Sequence, residues 1–180
     1  MRGSVDSADP HPVIYTLGHS RHGFDAFVAL ARRHGVGTVV DVRGQPWSRY
    51  NPQFNREPFE AALSQAGIGY RWEGERLSGR PQDRRFYGPD GKVDWDALRQ
   101  WPPLADGLDE IRALAGRTCL ALVCAEEDPL RCHRRGLLTA PLIARGAEIR
   151  HIRKTGDVET ETAVSARERG DDVRQIDLFD

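Results

Sequence analysis

The sequence predicts an α/β fold: a single three-layer domain with a mostly parallel sheet over residues 13–152, plus a disordered C-terminal tail over 153–180. Three observations predict it. Short runs of strand length alternate with segments whose apolar residues recur at helical spacing, the pattern of βαβ units. Polar, chemistry-bearing residues gather where three of those runs end. From Arg153 onward the chain is polar and charged, and periodicity is absent until the last six residues.

Val13 to Leu17 is the first apolar run, and it exits into Gly18-His19-Ser20. Phe24, Phe27, Val28 and Leu30 follow at helical spacing and predict a helix that closes near His34-Gly35. Thr38 to Val42 is the second strand, with Asp41 and Arg43 at its exit. A loop runs from Gly44 to Asn55, where Asn55 is placed as N-cap of a helix carrying Phe59, Ala62, Leu63 and Ala66 and closed by Gly67. Gly69 to Trp72 is a third strand. The stretch from Glu73 to Asp94 is rich in Gly, Arg and Pro, and its length suits a lid or binding loop. Leu108, Ile111 and Leu114 mark another helix. Cys119 to Cys124 is a buried strand, and Asp128-Pro129 reads as N-cap and first position of a helix reaching about Arg145, kinked or shortened at Pro141. Glu148 to Ile152 is the last strand.

A chain of 180 residues is long enough for one real core. Its net charge of −1 provides no global field toward nucleic acid. Lys92 and Lys154 are the only lysines among 26 basic residues, so the basic side chains are overwhelmingly arginine. Three cysteines do not make a secreted disulfide framework, Met1 to Pro12 has no apolar signal core, and no run approaches a membrane span. These features predict a cytoplasmic protein with reduced thiols.

In open α/β sheets, ligands bind beyond the carboxyl ends of the strands, where the polar exits of this chain fall. Asp41, Glu126, Cys124, His133 and His19 are the candidate catalytic groups. Gly18, Ser20, Arg43, Arg49, Asn51 and Arg134 are the candidate phosphate-binding groups. Four chemistries fit them. Cys132, expected in the first turn of a helix beside Arg134, or Cys124 with His133 or His19 as base, suits a thiolate nucleophile. A Cys124–Cys132 redox pair lacks the Cys-x-x-Cys spacing. A zinc site from Cys124, Cys132, His133 and His19 fits no standard finger, and adjacent Cys-His rarely serve one metal, so no metal and no cofactor is expected. Arginines converging on a helix N-terminus, with Trp47, Tyr50 and Phe54 interleaved, suit a phosphate-bearing substrate and its bases. Arg131, Arg134 and Arg135 crowd a helix start, where a dipole disfavours cations. Glu126, Glu127, Asp128 or a bound phosphate is the expected compensation.

Tyr15-Thr-Leu-Gly-His-Ser20 forms a first motif. Val40-Asp-Val-Arg43, with Pro46, Ser48-Arg49 and Asn51-Pro52-x-Phe54-Asn55, forms a second, and Cys124-Ala-Glu126 with Cys132-His-Arg134 a third. Together they resemble the domain-of-unknown-function 488 family over about Val13 to Ile152. The resemblance implies an α/β domain with a site shared by the three motifs, and it supplies no reaction. The last residues, Gln175, Ile176, Asp177, Leu178 and Phe179, resemble the peptide by which bacterial replication and repair proteins bind the DNA sliding clamp. That resemblance implies a clamp partner and a DNA- or nucleotide-directed enzyme of repair or replication. The alternatives are a non-catalytic nucleic-acid or protein adaptor, and a thiol enzyme acting on a small phosphorylated substrate.

Overall fold

The computed structural model describes residues 11–170. Its six strands are β1 (Val13–Gly18), β2 (Thr38–Asp41), β3 (Gly69–Trp72), β4 (Leu120–Cys124), β5 (Glu148–Ile152) and β6 (Val158–Thr160). They form one sheet in the order β3-β2-β4-β1-β5-β6, parallel throughout except for the antiparallel edge strand β6.

β4 reads Leu-Ala-Leu-Val-Cys and is buried at every position, as a central parallel strand covered on both faces must be. Its residues alternate between two cores. Ala121 and Val123 face α1 (Phe24–Arg33) and α2 (Arg56–Gln65), and Leu120 and Leu122 face α5 (Pro102–Ala115) and α6 (Ala140–Ala144). On the first face Phe27, Phe54 and Phe59 are fully buried and meet edge-to-face at 5.2 to 5.5 Å. Each contributes roughly 1.5–3 kcal/mol through burial. On the other face Leu104, Leu108, Ile111, Leu137, Leu138 and Leu142 do the same work. The three layers therefore follow the predicted alternation of periods.

Local details differ from the sequence expectation. Asn55 precedes α2, yet its side chain accepts from the Ser48 N–H at 2.6 Å instead of capping the helix. The long 73–94 segment contains α3 (Gly74–Leu77), a 3-10 turn at Arg84–Phe86 and a bridge between Tyr87 and Val93. It leads into α4 (Trp95–Arg99), capped by Asp94, whose carboxylate accepts from the N–H groups of Asp96 and Ala97. After β4 no continuous α-helix forms. Asp128 caps a 3-10 turn at Pro129–Arg131, a π-helix follows at Arg134–Thr139, and α6 is only the last turn. Pro141 has no N–H, and its ring crowds the carbonyl four residues back, which the wider π turn accommodates.

The largest correction concerns the tail. Residues 153–170 are not a disordered segment: they carry β6 and α7 (Glu161–Arg169), capped by Thr160 and ended by Gly170 at φ 79°. Only Ala163, Val164 and Ala166 of α7 are buried, too little apolar pattern to read from sequence. Ion pairs join the segment to the domain beside that small apolar contact. Arg153 pairs with Glu127 at 2.9 Å, Arg167 with Asp128 at 2.8 Å, and Glu161 with Arg135 at 2.8 Å. A composition argument treats those charges as solvated. Residues 171–180, including Gln175 to Phe179, lie outside the described residues. Among the described residues no helix is long and apolar enough to cross a membrane.

Candidate functional site

The exits of β2, β4 and β1 lie side by side, because these strands are neighbours and Gly18 pairs in register with Cys124, and Asp41 with Val123. Gly18 makes this possible sterically. A Cβ there would stand 2.0 Å from the Glu126 carbonyl oxygen, so the β4 exit crosses it only because the side chain is a hydrogen. Gly18, a phosphate-binding candidate from the sequence, is a close-packed position and does not line the cleft described below.

Asp41 and Arg43, two apart on one strand exit, turn toward each other. The fully buried Asp41 carboxylate accepts from Arg43 Nε at 2.8 Å and Nη2 at 2.6 Å, and from the Tyr70 hydroxyl at 2.8 Å. Arg43 donates onward to His19 Nε2 at 3.0 Å and to the Phe54 carbonyl at 2.8 Å. His19 Nδ1 donates to the Ser20 carbonyl at 3.1 Å, which leaves Nε2 as the acceptor and the ring neutral, stacked on Phe54. Burial and then the Tyr70–Asp41 contact push the tyrosine hydroxyl up. Asp41 and His19, expected as acid–base groups, are tied into a closed hydrogen-bond network, and neither lines the cleft described next.

Burial, and next the Arg43 charge, lower His19 from 6.5 to about 4. A histidine depressed in the folded state binds its proton more readily when unfolded. The stability it contributes is present above pH 6.5 and is lost as pH falls through about 4, up to about 3 kcal/mol for the full shift. Melting temperature should therefore fall steeply between about pH 7 and pH 4, and His19→Gln should flatten that fall. An unchanged pH profile in the variant would remove His19 from the acid response.

The cleft beside this network has a volume of about 760 Å³. Its floor is Cys124, Cys132 and His133. His133 Nε2 donates to the Val42 carbonyl at 3.2 Å, and Nδ1 faces the sulfurs, 3.6 Å from Cys124 and 4.0 Å from Cys132. The two thiols hold one proton between them, on Cys124. Cys132 is pulled well below the usual thiol range, first by hydrogen bonding from Cys124, then by His133 and the Arg134 charge. The same contact and burial push Cys124 up. No helix dipole is involved, since the chain makes no α-helix start there. Arg134, expected at an open anion site, is only 1% exposed. Its Nε donates to Cys132 Sγ at 3.1 Å, and its Nη2 to the Glu126 carbonyl. It braces the floor from beneath.

The cleft mouth brings together Arg131, of the arginine cluster seen in the sequence, with Arg80 and Arg84, which the sequence did not single out. Arg80, Arg84 and Arg131 are exposed and line it, and none has a carboxylate partner among the described residues. Among the described residues ten other arginines, from Arg43 to Arg167, are seen in salt bridges. Arg135, crowded beside Arg131 in sequence, is neutralised by Glu161 and Glu168 of α7. Glu127 and Asp128, the acids expected to compensate the local arginines, are taken by Arg153 and Arg167. Glu126 lines the cleft exposed and without an ion pair among the described residues. Tyr87 and Trp95 also line it. Their hydroxyl and indole N–H donate to the Pro81 and Gly79 carbonyls, at 2.8 and 3.2 Å, and so brace the arginine-bearing loop.

Ser20, Arg49 and Asn51 stay out of the cleft lining. Ser20 bonds Ala125 through its backbone, the Asn51 N–H donates to Ser48, and Arg49 stacks on Tyr50 at 4.6 Å. Trp47 and Tyr50 on that loop are 72% and 75% exposed.

The model of one protein family, described as domain of unknown function DUF488, matches residues 23–140. The chain belongs to this family. No curated protein and no solved structure matches it. The matched DUF488 segment contains Asp41, Arg43, the arginine-bearing loop and the whole Cys124–Cys132–His133 floor. The Gly18-His19-Ser20 exit and the docking elements β6 and α7 lie beyond the DUF488 match.

Proposed function

We propose that this protein is an enzyme of DNA or nucleotide metabolism, which holds a phosphate-bearing substrate at the cleft mouth and reacts it at the cysteine–histidine floor. One observation carries the reading: three exposed arginines without carboxylate partners among the described residues surround a cleft whose floor sets Cys124, Cys132 and His133 together, with Arg134 donating to the Cys132 sulfur. Arg80, Arg84 and Arg131 hold phosphate oxygens, for which guanidinium forks are suited. Tyr87 and Trp95 offer flat faces against which a base stacks. Glu126 is the free carboxylate available for proton transfer.

The test is the salt dependence of binding. The triple variant Arg80→Glu, Arg84→Glu, Arg131→Glu should bind a short single-stranded oligonucleotide far more weakly. Its slope of log affinity against log salt should shrink by about two, the effect of three lost phosphate contacts. Arg117→Glu, at the opposite end of the sheet just before β4, serves as control and should change neither. An unaltered slope in the triple variant would place the phosphate elsewhere.

The C-terminal peptide supports a repair or replication setting. Gln175, Ile176, Asp177, Leu178 and Phe179 match every position of the clamp-binding pattern, and Leu178 and Phe179 are apolar anchors of the kind a groove on a partner buries. Such a peptide gives a tether of about micromolar strength. A chain ending at Arg174 should lose binding to the sliding clamp in a direct titration, with oligonucleotide binding unchanged. Equal clamp binding by both chains, or none by either, would discard the tether.

A further inference from the structure

We propose that Cys124, Cys132 and His133 form a metal centre for a borderline-soft divalent cation such as Zn²⁺, with three protein donors and a fourth position open to the cleft. This names the cofactor of the floor assigned above. The use of the open position rests on that reading, whereas the centre itself rests on its donors.

The donor atoms already stand at coordination spacing. A tetrahedral ion with metal–sulfur bonds near 2.3 Å and metal–nitrogen bonds near 2.0–2.1 Å sets sulfur and nitrogen about 3.6 Å apart. Cys124 Sγ lies 3.6 Å from His133 Nδ1, and Cys132 Sγ lies 4.0 Å from it. All three donor atoms fall within 4.8 Å of one another. Adjacent residues rarely serve one ion, yet here the tight turn between the 3-10 and π segments points Cys132 and His133 at the same space beside Cys124.

The surroundings select the ligating form of His133 and of Cys132. The Val42 carbonyl takes the His133 Nε2 proton at 3.2 Å, so the lone pair is on Nδ1, the nitrogen facing the sulfurs. This is the outer-shell carbonyl contact that orients metal-binding imidazoles. Gly79 holds the ring in place, since a Cβ there would stand 2.3 Å from His133 Cβ. Arg134 donates to Cys132 Sγ at 3.1 Å from a fully buried position, an N–H···S contact that favours the anionic sulfur. Two thiolates neutralise a divalent ion, and Arg134 leaves the floor net positive, suited to an anionic substrate.

The centre is open, not closed. His19, the fourth donor that the sequence offered, is committed to Arg43 and the Ser20 carbonyl. Two sulfurs, one imidazole and a vacant position form the donor set of catalytic zinc, in which the fourth ligand is water or substrate.

The full chain, reduced and stripped with a chelator, is titrated with Co²⁺ and followed by absorption. One ion per chain, with sulfur-to-cobalt charge-transfer bands and tetrahedral d–d bands that Zn²⁺ abolishes, is the expected result. Cys124→Ser and Cys132→Ser, near-isosteric changes verified as folded by circular dichroism, should each weaken binding at least about tenfold. Cys119→Ser should not, because Cys119 lies at the other end of β4 and contacts the His34 carbonyl. Absence of charge-transfer bands, or bands that persist in both variants, would overturn the centre. So would alkylation of Cys132 at a rate that equimolar Zn²⁺ leaves unchanged, which returns the floor to a free thiolate. None of these outcomes alters the salt slope of the arginine variant, so failure of the centre and failure of the substrate reading are separately visible.

Discussion

Asp41→Ala is expected to destabilise the protein by about 3–5 kcal/mol, the cost of removing one partner from a buried ion pair. The variant leaves the Arg43 guanidinium, 8% exposed, without its carboxylate, and the Tyr70 hydroxyl without its acceptor. Both remain desolvated, and an unpaired buried charge costs far more than a lost surface pair. Urea unfolding measures the effect. The double variant Asp41→Ala, Arg43→Met should recover part of the loss, because it removes the orphaned charge together with its partner. A destabilisation under about 1 kcal/mol for Asp41→Ala would mean the carboxylate is solvated and free for acid–base work, contrary to its buried network.

The same pair shows what was legible. Alternating periods exposed the strands, since a strand covered on both faces must read as Leu-Ala-Leu-Val-Cys does. Polar residues at strand exits exposed the rim, since His19, Asp41 and Glu126 all fall at the ends of apolar runs. Roles were less legible. Asp41 and Arg43 stand two apart, the spacing at which side chains of an extended chain share a face, and that spacing was the signal that they bind each other. Arg80, Arg84 and Arg131 carry no such signal. In a chain so rich in arginine, only folding shows which ones find carboxylates. The floor was half legible: Cys124, Cys132 and His133 were in view, but not the tight turn that brings Cys132 and His133 to the same space beside Cys124.

Ending the chain at Ile152, the boundary the sequence suggested, is expected to cost on the order of 3–5 kcal/mol, with burial of Val164 the largest single part. The deletion strips β6 from β5, leaving Arg150, His151 and Ile152 as a bare edge. It removes Glu161, which accepts from His151 Nε2 at 3.0 Å, while His151 itself is 1% exposed. It also strands Arg135, Glu127 and Asp128. These three pairs are partly exposed, so each contributes little alone and is screened by salt. The stability gap between the full and shortened chains should therefore narrow at high salt without closing. Asp128 supplies a second signature. Arg167 holds it down from 3.8 to about 2, so the stability it adds is present above pH 3.8 and lost as pH falls through about 2. That acid limb should vanish in the shortened chain. A chain ending at Gly170 retains β6, α7 and every one of these pairs, and should keep both the salt response and the acid limb that the chain ending at Ile152 loses. If segment 153–170 contributed nothing, the chains ending at Ile152 and at Gly170 would share one midpoint at all salt concentrations, and the docking of α7 onto the turn that carries Cys132 would be wrong.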